Sequence, residues 1–430
     1  MVQVPVFSRP VSAFAIVLAI FTTSSYGQKC ATISPAQGAP VTVPGVQTRV
    51  VINGLKSPRG MVFDTAGNLL VVEQGGGGIR YIKLTDNGGI NVCLTSSKTL
   101  IADNTLNHGI DLSADGKTLF ASSLLNVYSY PYNAATGTVG TRRTLVQNMQ
   151  NGGHSTRTLW VSRFDTDTLL VSRGSDGNLD LPTAEMTSGR SQLRAFSISA
   201  TSKAAVNYTA GEVIAWGLRN SVGVSEDLST GGLWSVENSV DDMKRQGVDV
   251  HQTNPGEELN YHGLVNKTAA SPQRGLNYGY PSCFAAWDPS VLPNNANIKV
   301  GTQFLIGDPS DSNTDALCLQ RQGPRLTFPS HTAPLDVKFN RNGTAAYIAF
   351  HGSWNRQPAD GYRLSRIAFK NGQPIEPVTS TTAAFNILYN PNNANCPSKC
   401  FRPTTLAFDA KDRLFMTSDS TGEIYVIIGA

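Results

Sequence analysis

Charged residues are scarce in this sequence. They make up 15% of its 430 residues, against roughly 25% in an average soluble protein. The chain instead has 40 glycines and 23 prolines, a composition that excludes a coiled coil or a helical bundle. The net charge of +4 is not gathered into basic runs, so we predict no nucleic-acid partner. A hydrophobic content of 40% excludes a disordered chain.

Long apolar runs are missing as well, with one short exception near the N-terminus. Arg9 precedes an apolar run over residues 11–21, and small and polar residues follow as far as Gly27. About eleven apolar residues are too few to cross a bilayer and are typical of a signal peptide, with a membrane anchor as the alternative. We therefore predict a signal peptide over residues 1–27. The mature chain, 28–430, is expected to be secreted, without a membrane partner, and monomeric.

Cysteine is also infrequent, and its six residues include no Cys-x-x-Cys pair, which argues against a zinc ribbon. An even number in a secreted chain favours disulfides, and six cysteines allow fifteen pairings. Closeness in sequence favours the pairs Cys283–Cys318 and Cys396–Cys400, which leaves Cys30–Cys93. Three acceptor sequences add the prediction of a glycoprotein, at Asn207, Asn266 and Asn342.

An internal repeat carries the fold prediction. Its unit is a polar residue, a short apolar strand, a turn containing Asp, Asn or Gly, and a second apolar strand, as in Arg59–Glu73. The units begin at Arg59, His108, His154, Arg219, Pro334 and Arg402. Six such hairpin units predict an all-β, six-bladed β-propeller. A β-sandwich is the alternative, but it does not explain six similar units.

No linker rich in proline or serine divides the chain, so we predict a single domain. Residues 241–331 are rich in Asn, Pro and Gly, and we interpret them as loops over one rim of the propeller. Val50–Ile52 is expected to close the ring by pairing within the last blade.

The positions where the innermost strands begin form the candidate site. In a propeller these positions surround one mouth of the central channel. The polar residues there are Arg59, His108, His154 with Arg157, Arg219 with Asn220, and Arg402, while His351 and Trp354 follow a second strand. Like charges that converge need an anion to balance them. The sequence therefore predicts an anionic ligand that carries several carboxylates or phosphates.

A second candidate site is the oxygen-rich segment 237–242, which follows the fourth unit. Carboxylates and turn carbonyls suit a hard cation such as Ca²⁺. The spacing is not that of an EF-hand, and a simple polar turn is the alternative interpretation.

Several of these motifs resemble one family, the secreted pyrroloquinoline quinone (PQQ)-dependent pyranose dehydrogenases of fungi. They are similar also to bacterial L-sorbosone dehydrogenase-like proteins and, more distantly, to soluble quinoprotein glucose dehydrogenase. The similarity covers roughly residues 45–428. The matching segments are His154–Arg157, Val171–Asn178, Gly217–Asn220, Asn277–Pro281, His351–Arg356 and Arg402-Pro403.

The resemblance implies a propeller that holds PQQ and Ca²⁺ at the channel mouth. PQQ carries three carboxylates and would supply the predicted anion. The resemblance places seven side chains at the cofactor: Arg59, His154, Arg219, Asn220, His351, Trp354 and Arg402. Of these, His154 matches the catalytic base, Arg219 lies with Asn220 beside the quinone carbonyl, and Arg402 matches a carboxylate-binding arginine.

The same resemblance implies a metal near Asn238, Ser239, Asp241 and Asp242, held partly by backbone carbonyls. It also suggests that His108 lines the sugar pocket. One position departs from the pattern: an Asp commonly precedes the catalytic His in the soluble glucose enzymes, and this chain has Gly153 there. The departure affects the expected preference for aldoses rather than the quinone chemistry.

The implied reaction is oxidation of a pyranose at a carbinol carbon, with hydride transfer to the quinone and His154 as general base. Electrons would leave to an external acceptor, which could be a cytochrome domain, a copper oxygenase or a small quinone. A Ca²⁺-dependent lactonase on the same fold is one alternative, but it leaves the arginines unexplained. A non-enzymatic binding propeller is another, and it would not need a histidine at the third unit.

Overall fold

The structure of the chain is a computed structural model that describes residues 1–5, 29–150, 152–266, 271–311 and 313–430. Most of the predicted signal peptide, residues 6–27, lies outside the described residues. Within the described ranges, no helix has both the length and the apolar character needed to span a membrane.

Six antiparallel sheets, here called blades 1 to 6, surround a central channel, which confirms the predicted six-bladed propeller. Each innermost strand contacts the innermost strands of the two neighbouring blades. The strands of blade 1 are Pro58–Phe63, Leu69–Glu73, Gly78–Asp86 and Val92–Ile101. Those of blade 2 are Leu106–Leu112, Thr118–Ser123, Val127–Asn133 and Arg143–Gln147. Those of blade 3 are Leu159–Val161, Thr168–Arg173, Gln192–Ser197 and Glu212–Trp216.

The second half of the ring repeats the arrangement. Blade 4 contains Ser221–Glu226, Gly232–Glu237, Glu257–Leu264 and Leu326–Phe328. Blade 5 contains Pro334–Phe339, Ala345–Phe350, Arg363–Lys370 and Phe385–Tyr389. Blade 6 contains Pro403–Phe408, Leu414–Ser418, Glu423–Ile428 and Gln47–Ile52. Each predicted repeat unit therefore corresponds to the two inner strands of one blade.

Short elements accompany the blades. Further strands are Val41–Thr42, Thr138–Val139, Val206–Asn207, Lys244–Arg245, Val248–Asp249, Leu276–Asn277, Cys283–Ala285, Gln303–Leu305 and Gln373–Pro374. Two α-helical turns span Ile198–Thr201 and Asp315–Cys318. The 3₁₀ turns are Leu181–Ala184, Met186–Ser188, Tyr208–Ala210, Pro289–Val291 and Asn393–Asn395.

Apolar packing between neighbouring blades forms the core. One cluster joins Leu70 and Ile79 of blade 1 to Ile110 and Leu119 of blade 2. Because a blade buries both of its faces in this way, second strands such as Leu69–Glu73 and Ala345–Phe350 are nearly continuously apolar rather than alternating. Near the channel the backbones of neighbouring blades come close. A Cβ on Gly109 would lie 2.1 Å from the carbonyl oxygen of Arg157, which precedes the first strand of blade 3. Glycine at this position therefore permits the blades to pack.

The ring closes as predicted. Gln47–Ile52 runs antiparallel to Glu423–Ile428, with Val50 opposite Tyr425. The N-terminal segment thus supplies the outer strand of the last blade. This pairing joins an N-terminal strand to the last strand of the chain and thereby closes the ring.

The interpretation of residues 241–331 as loops is wrong in part. Glu257–Leu264 and Leu326–Phe328 are the third and fourth strands of blade 4. Leu276–Asn277 pairs with the outer strand of blade 3, and the described residues of 240–256 and 278–325 form an additional layer, here called the cap. The cap has its own apolar cluster, and the buried Arg245 guanidinium pairs with Asp315 at 2.7 Å. The insertions on both sides of the third strand conceal the repeat in the sequence.

All six cysteines form disulfides, and the favoured pairing is confirmed: Cys30–Cys93, Cys283–Cys318 and Cys396–Cys400. The three predicted glycosylation acceptors, Asn207, Asn266 and Asn342, are all exposed. Glycosylation itself stays a prediction.

Candidate functional site

A cavity of about 220 Å³ lies where the innermost strands begin. It brings together residues that follow or precede strands of blades 3, 4 and 5. Seven of the predicted site residues line it: His154, Arg219, Asn220, Asn238, Ser239, Asp241 and Trp354. Asp242 is exposed and does not line the cavity.

His154 lies in this cavity as a neutral imidazole with a defined tautomer. Its Nδ1 is 3.0 Å from Ser175 Oγ and 3.1 Å from the Ser175 carbonyl oxygen. A carbonyl oxygen can only accept, so Nδ1 carries the hydrogen and Nε2 keeps a lone pair. Burial, followed by the positive charge of Arg219, lowers the pKa of His154 to about 4. The ring can therefore act as a base at neutral and mildly acidic pH.

The loop that carries His154 is held by hydrogen bonds to its backbone carbonyls and by close packing against the next loop. Arg157 donates to the carbonyls of His154 and Met149, each at 2.8 Å, so it supports this loop rather than facing a ligand. Gly153 packs directly against the next loop: a Cβ there would lie 2.3 Å from the Asp176 carbonyl carbon. Packing thus accounts for glycine where the soluble glucose enzymes commonly have Asp.

Arg219 faces His154 across the cavity and is held by three of its nitrogens. Nε donates to the Asn178 carbonyl at 3.0 Å, and Nη1 donates to the Asn238 carbonyl at 3.1 Å. Nη2 donates to Asn178 Oδ1 at 2.9 Å and to Asp241 Oδ2 at 2.8 Å. The guanidinium is therefore fixed in orientation and paired with a carboxylate.

One side of the cavity is rich in oxygen atoms. This acidic half consists of Asn220, Asn238, Ser239, Asp241 and Glu257. Asn220 Oδ1 is buried and has no hydrogen-bond partner among the described residues. Glu257 accepts from the backbone N–H of Ser239 at 2.8 Å, and burial raises its pKa to about 7. Buried oxygens without a donor or a cationic partner are the environment that a bound cation would satisfy.

No group of three or more His, Cys, Asp or Glu side chains suited to a metal occurs in the part of the chain that the structure describes. A cation in the acidic half would therefore need amide and backbone carbonyl oxygens, which Ca²⁺ accepts readily. Glu237 lies behind this half, where it accepts from the backbone N–H of Asn220 and from Ser221 Oγ. Burial raises the pKa of Glu237 to about 8.

Three other predicted residues lie together beside the cavity, and two of them, Arg59 and His351, contact the carboxylate of Asp419. Arg59 Nη1 donates to it at 2.9 Å, and His351 Nε2 lies 2.9 Å from its Oδ1. Arg402 donates through Nε to the His351 carbonyl at 3.1 Å and through Nη2 to the Gly352 carbonyl at 2.9 Å. We call Arg59, His351, Arg402 and Asp419 the basic half.

The basic half has more cations than anions. Burial opposes ionisation of Asp419, but the hydrogen bond from His351 and the charges around it hold its pKa below the usual range. Burial lowers the pKa of His351, so this ring is neutral. Two arginines then share one carboxylate. Gly352 lines the His154 cavity and also accepts from Arg402, which joins the basic half to the cavity.

The two remaining predicted residues, Trp354 and His108, lie in different cavities. The Trp354 side chain is 68% exposed at the rim of the His154 cavity, where it offers an open indole face. His108 is buried and lines a second cavity, of about 260 Å³, along the channel. Burial lowers the pKa of His108 well below its ordinary value. The structure therefore does not bring His108 into the cavity that holds His154.

Sequence reasoning missed Asp419, Glu257 and His331, which lines the same cavity. Asp419 follows the second strand of blade 6, as His351 does in blade 5. Alignment of the repeat units beyond their second strands would have found it. Glu257 and His331 lie in the segment that was interpreted as loops, and no local signal identifies them.

Comparison with known proteins agrees with this arrangement. The TrAA12-like family model matches residues 40–430. The chain is 48% identical to the pyrroloquinoline quinone-dependent sugar dehydrogenase of Hypocrea jecorina, over 96% of each chain. It superposes on the calcium structure of the Trichoderma reesei family AA12 enzyme with a TM-score of 0.89 and 48% identity, covering 94% of this chain and 99% of that one.

A second superposition is with the holo form of the pyranose dehydrogenase PQQ domain from Coprinopsis cinerea. Here the TM-score is 0.86 and the identity 38%, and the match covers 93% of this chain and 99% of that one. The family match, the sequence alignment and both superpositions each cover nearly all of the propeller. The chain therefore belongs to the TrAA12-like family.

Proposed function

We propose that this enzyme is a secreted, PQQ- and Ca²⁺-dependent pyranose dehydrogenase in which His154 is the general base. The observation that carries the proposal is a cavity lined by the acidic half and a neutral histidine, to which Gly352 joins the adjacent basic half. Relatives named as PQQ-dependent sugar and pyranose dehydrogenases support the same conclusion.

The basic half fits a ligand with several carboxylates. Arg402 uses Nε and Nη2 on backbone carbonyls, and within the described ranges its Nη1 has no hydrogen bond. Arg59 pairs with Asp419, and Arg402 forms no ion pair with a described residue. A tricarboxylate such as PQQ would balance this excess, because guanidinium groups bind carboxylates through charge-assisted hydrogen bonds.

The acidic half fits a hard cation. Asn220 Oδ1, the Asp241 carboxylate and the backbone carbonyls of Asn238 and Ser239 would hold Ca²⁺, with Glu257 behind Ser239. Asp242 is the weakest member of the ligand set inferred from the sequence, because its side chain is exposed. When bound, PQQ would accept the hydride from the sugar, and Ca²⁺ would polarise its carbonyl as a Lewis acid.

The side chains of the chain itself would position the sugar and move its proton. His154 Nε2 would take the proton of the reacting hydroxyl, while the two Ser175 oxygens hold the Nδ1–H in place. Arg219 would stabilise the negative charge that develops in the cavity. Trp354 offers an apolar face against which a pyranose ring can stack.

Calorimetric titration of the metal-stripped protein with PQQ, with and without Ca²⁺, tests the proposal. We expect tight PQQ binding that requires Ca²⁺, followed by turnover of a pyranose when an artificial electron acceptor is added. The matched control is Lys203→Ala, which removes an exposed side chain outside the cavity and should behave as the unmodified protein. Absence of PQQ binding in both conditions would overturn the proposal.

The Ca²⁺-dependent lactonase is not favoured. A lactonase has no need for a basic half beside the metal, so Arg59 and Arg402 would lack a role. A binding propeller without activity would leave the tautomer of His154 unexplained. The physiological electron acceptor stays a prediction: a cytochrome domain, a copper oxygenase or a small quinone.

A further inference from the structure

Asn178 joins parts of the site that come from three regions of the chain. Its side-chain Oδ1 accepts from Arg219 Nη2 at 2.9 Å and from the backbone N–H of Asp241 at 2.8 Å. Its carbonyl oxygen accepts from Arg219 Nε at 3.0 Å and from the Tyr280 hydroxyl at 3.1 Å. Asn178 belongs to the loop after the second strand of blade 3, and Tyr280 belongs to the cap.

These contacts determine how Arg219 meets Asp241. An amide oxygen accepts about two hydrogen bonds, and Asn178 Oδ1 has both. Arg219 Nη2 carries two hydrogens, of which one is directed to Asn178 and the other to Asp241. Without the amide oxygen, the guanidinium could turn toward the Asp241 carboxylate and bind it through two parallel hydrogen bonds.

We propose that Asn178 is a positioning residue that keeps Arg219 and the loop 238–241 in register, so that Asp241 remains available to a cation while Arg219 faces the cavity. The inference rests on the proposed function, because it assumes that the acidic half binds Ca²⁺. Residues that orient metal ligands without touching the metal typically change affinity or activity by roughly 10–100-fold when they are removed.

The test is Ca²⁺ affinity measured by calorimetry on the metal-stripped protein, without PQQ, for Asn178→Ala and Asn178→Asp. We expect Asn178→Ala to weaken Ca²⁺ binding roughly tenfold. The Asp variant retains an oxygen in the place of Oδ1 and should recover most of the affinity. In turnover assays of the loaded enzyme, Asn178→Ala should lower kcat and leave the KM for sugar unchanged, since Asn178 does not line the cavity.

Leu179→Ala is the matched control, because this exposed neighbour on the same loop has no role in the contacts described. If Asn178→Ala does not fold, Asn178→Ser replaces it, since the shorter hydroxyl cannot reach both donors. Unchanged Ca²⁺ affinity and kcat in a folded variant would overturn the inference alone. Failure of the unmodified protein to bind Ca²⁺ or PQQ would overturn the proposed function and this inference with it.

Discussion

The acidic and basic halves are neighbours, yet their charges are unbalanced in opposite directions. In the acidic half, Glu257 accepts only backbone N–H groups and its pKa rises to about 7, because burial disfavours its charge. In the basic half, Asp419 accepts hydrogen bonds from Arg59 and His351, and these contacts hold its pKa below the usual range. In the acidic half the oxygen acceptors outnumber the one cation, Arg219, whereas in the basic half two arginines lie near one carboxylate.

This difference indicates what kind of ligand fits between them. A ligand that combines a divalent cation with several carboxylates would balance both halves at once, whereas either component alone would leave one half unbalanced. Substitutions in the two halves should therefore have different effects on PQQ affinity and on Ca²⁺ affinity. His154 lines the cavity but belongs to neither half, so its substitution should change neither affinity.

The largest expected effect is on His154. His154→Ala should lower kcat by roughly 10²–10⁴-fold, because positioned general bases contribute that much to rate. PQQ affinity in the presence of Ca²⁺ should stay close to that of the unmodified protein, because both halves remain intact. Steady-state kinetics and calorimetry measure the two effects, with the exposed Lys203→Ala as control. Undiminished turnover would contradict the assignment of the base.

Separate substitutions in the two halves should give opposite binding defects. Arg402→Ala removes a cation from the basic half and should weaken PQQ binding roughly 10–100-fold while Ca²⁺ binding alone is unchanged. Asp241→Asn removes charge from the acidic half and should weaken Ca²⁺ binding by a similar factor. Calorimetry with each ligand measures both. Equal loss of both ligands in each variant would show that the halves do not act separately.

The pH dependence of kcat/KM tests whether the pKa of His154 is lowered. The base must be neutral, and burial together with Arg219 lowers the pKa of His154 to about 4. Activity should therefore persist as the pH falls through 6.5 and should be lost only as it passes through about 4. A pH profile on the loaded enzyme measures this. A midpoint near 6.5 on the acid side would contradict the burial of the ring.

The smallest effect is expected at the rim. Trp354→Ala should raise the KM for sugar a few-fold, since an aromatic contact contributes about 0.5–1.5 kcal/mol, and should leave PQQ and Ca²⁺ affinity unchanged. Phe385→Ala, which removes another exposed aromatic side chain at the start of the outer strand of blade 5, is the control. A loss of PQQ affinity in Trp354→Ala would instead place the indole against the cofactor.

Much of the propeller could be predicted because its signals are local. The hairpin around Gly67 and the run Leu69–Glu73 carry turn and strand preferences within a few residues of each other. Repetition of that pattern predicts six blades. It also indicates that Val50–Ile52 is the strand that closes the ring, as the structure shows. The third strand of blade 4 was missed, because long insertions separate it from its partners.

The ring of hairpins, the disulfide partners favoured by proximity and the basic residues that begin the inner strands can all be inferred from the amino-acid sequence. Which side chains contact one another depends instead on the folded ring. Arg59 reaches Asp419 across 360 positions, Asn178 reaches Asp241 across 63, and His108 turns into the channel instead of the site. Such contacts depend on how blades and cap pack, because residues far apart in sequence become neighbours only when the ring closes.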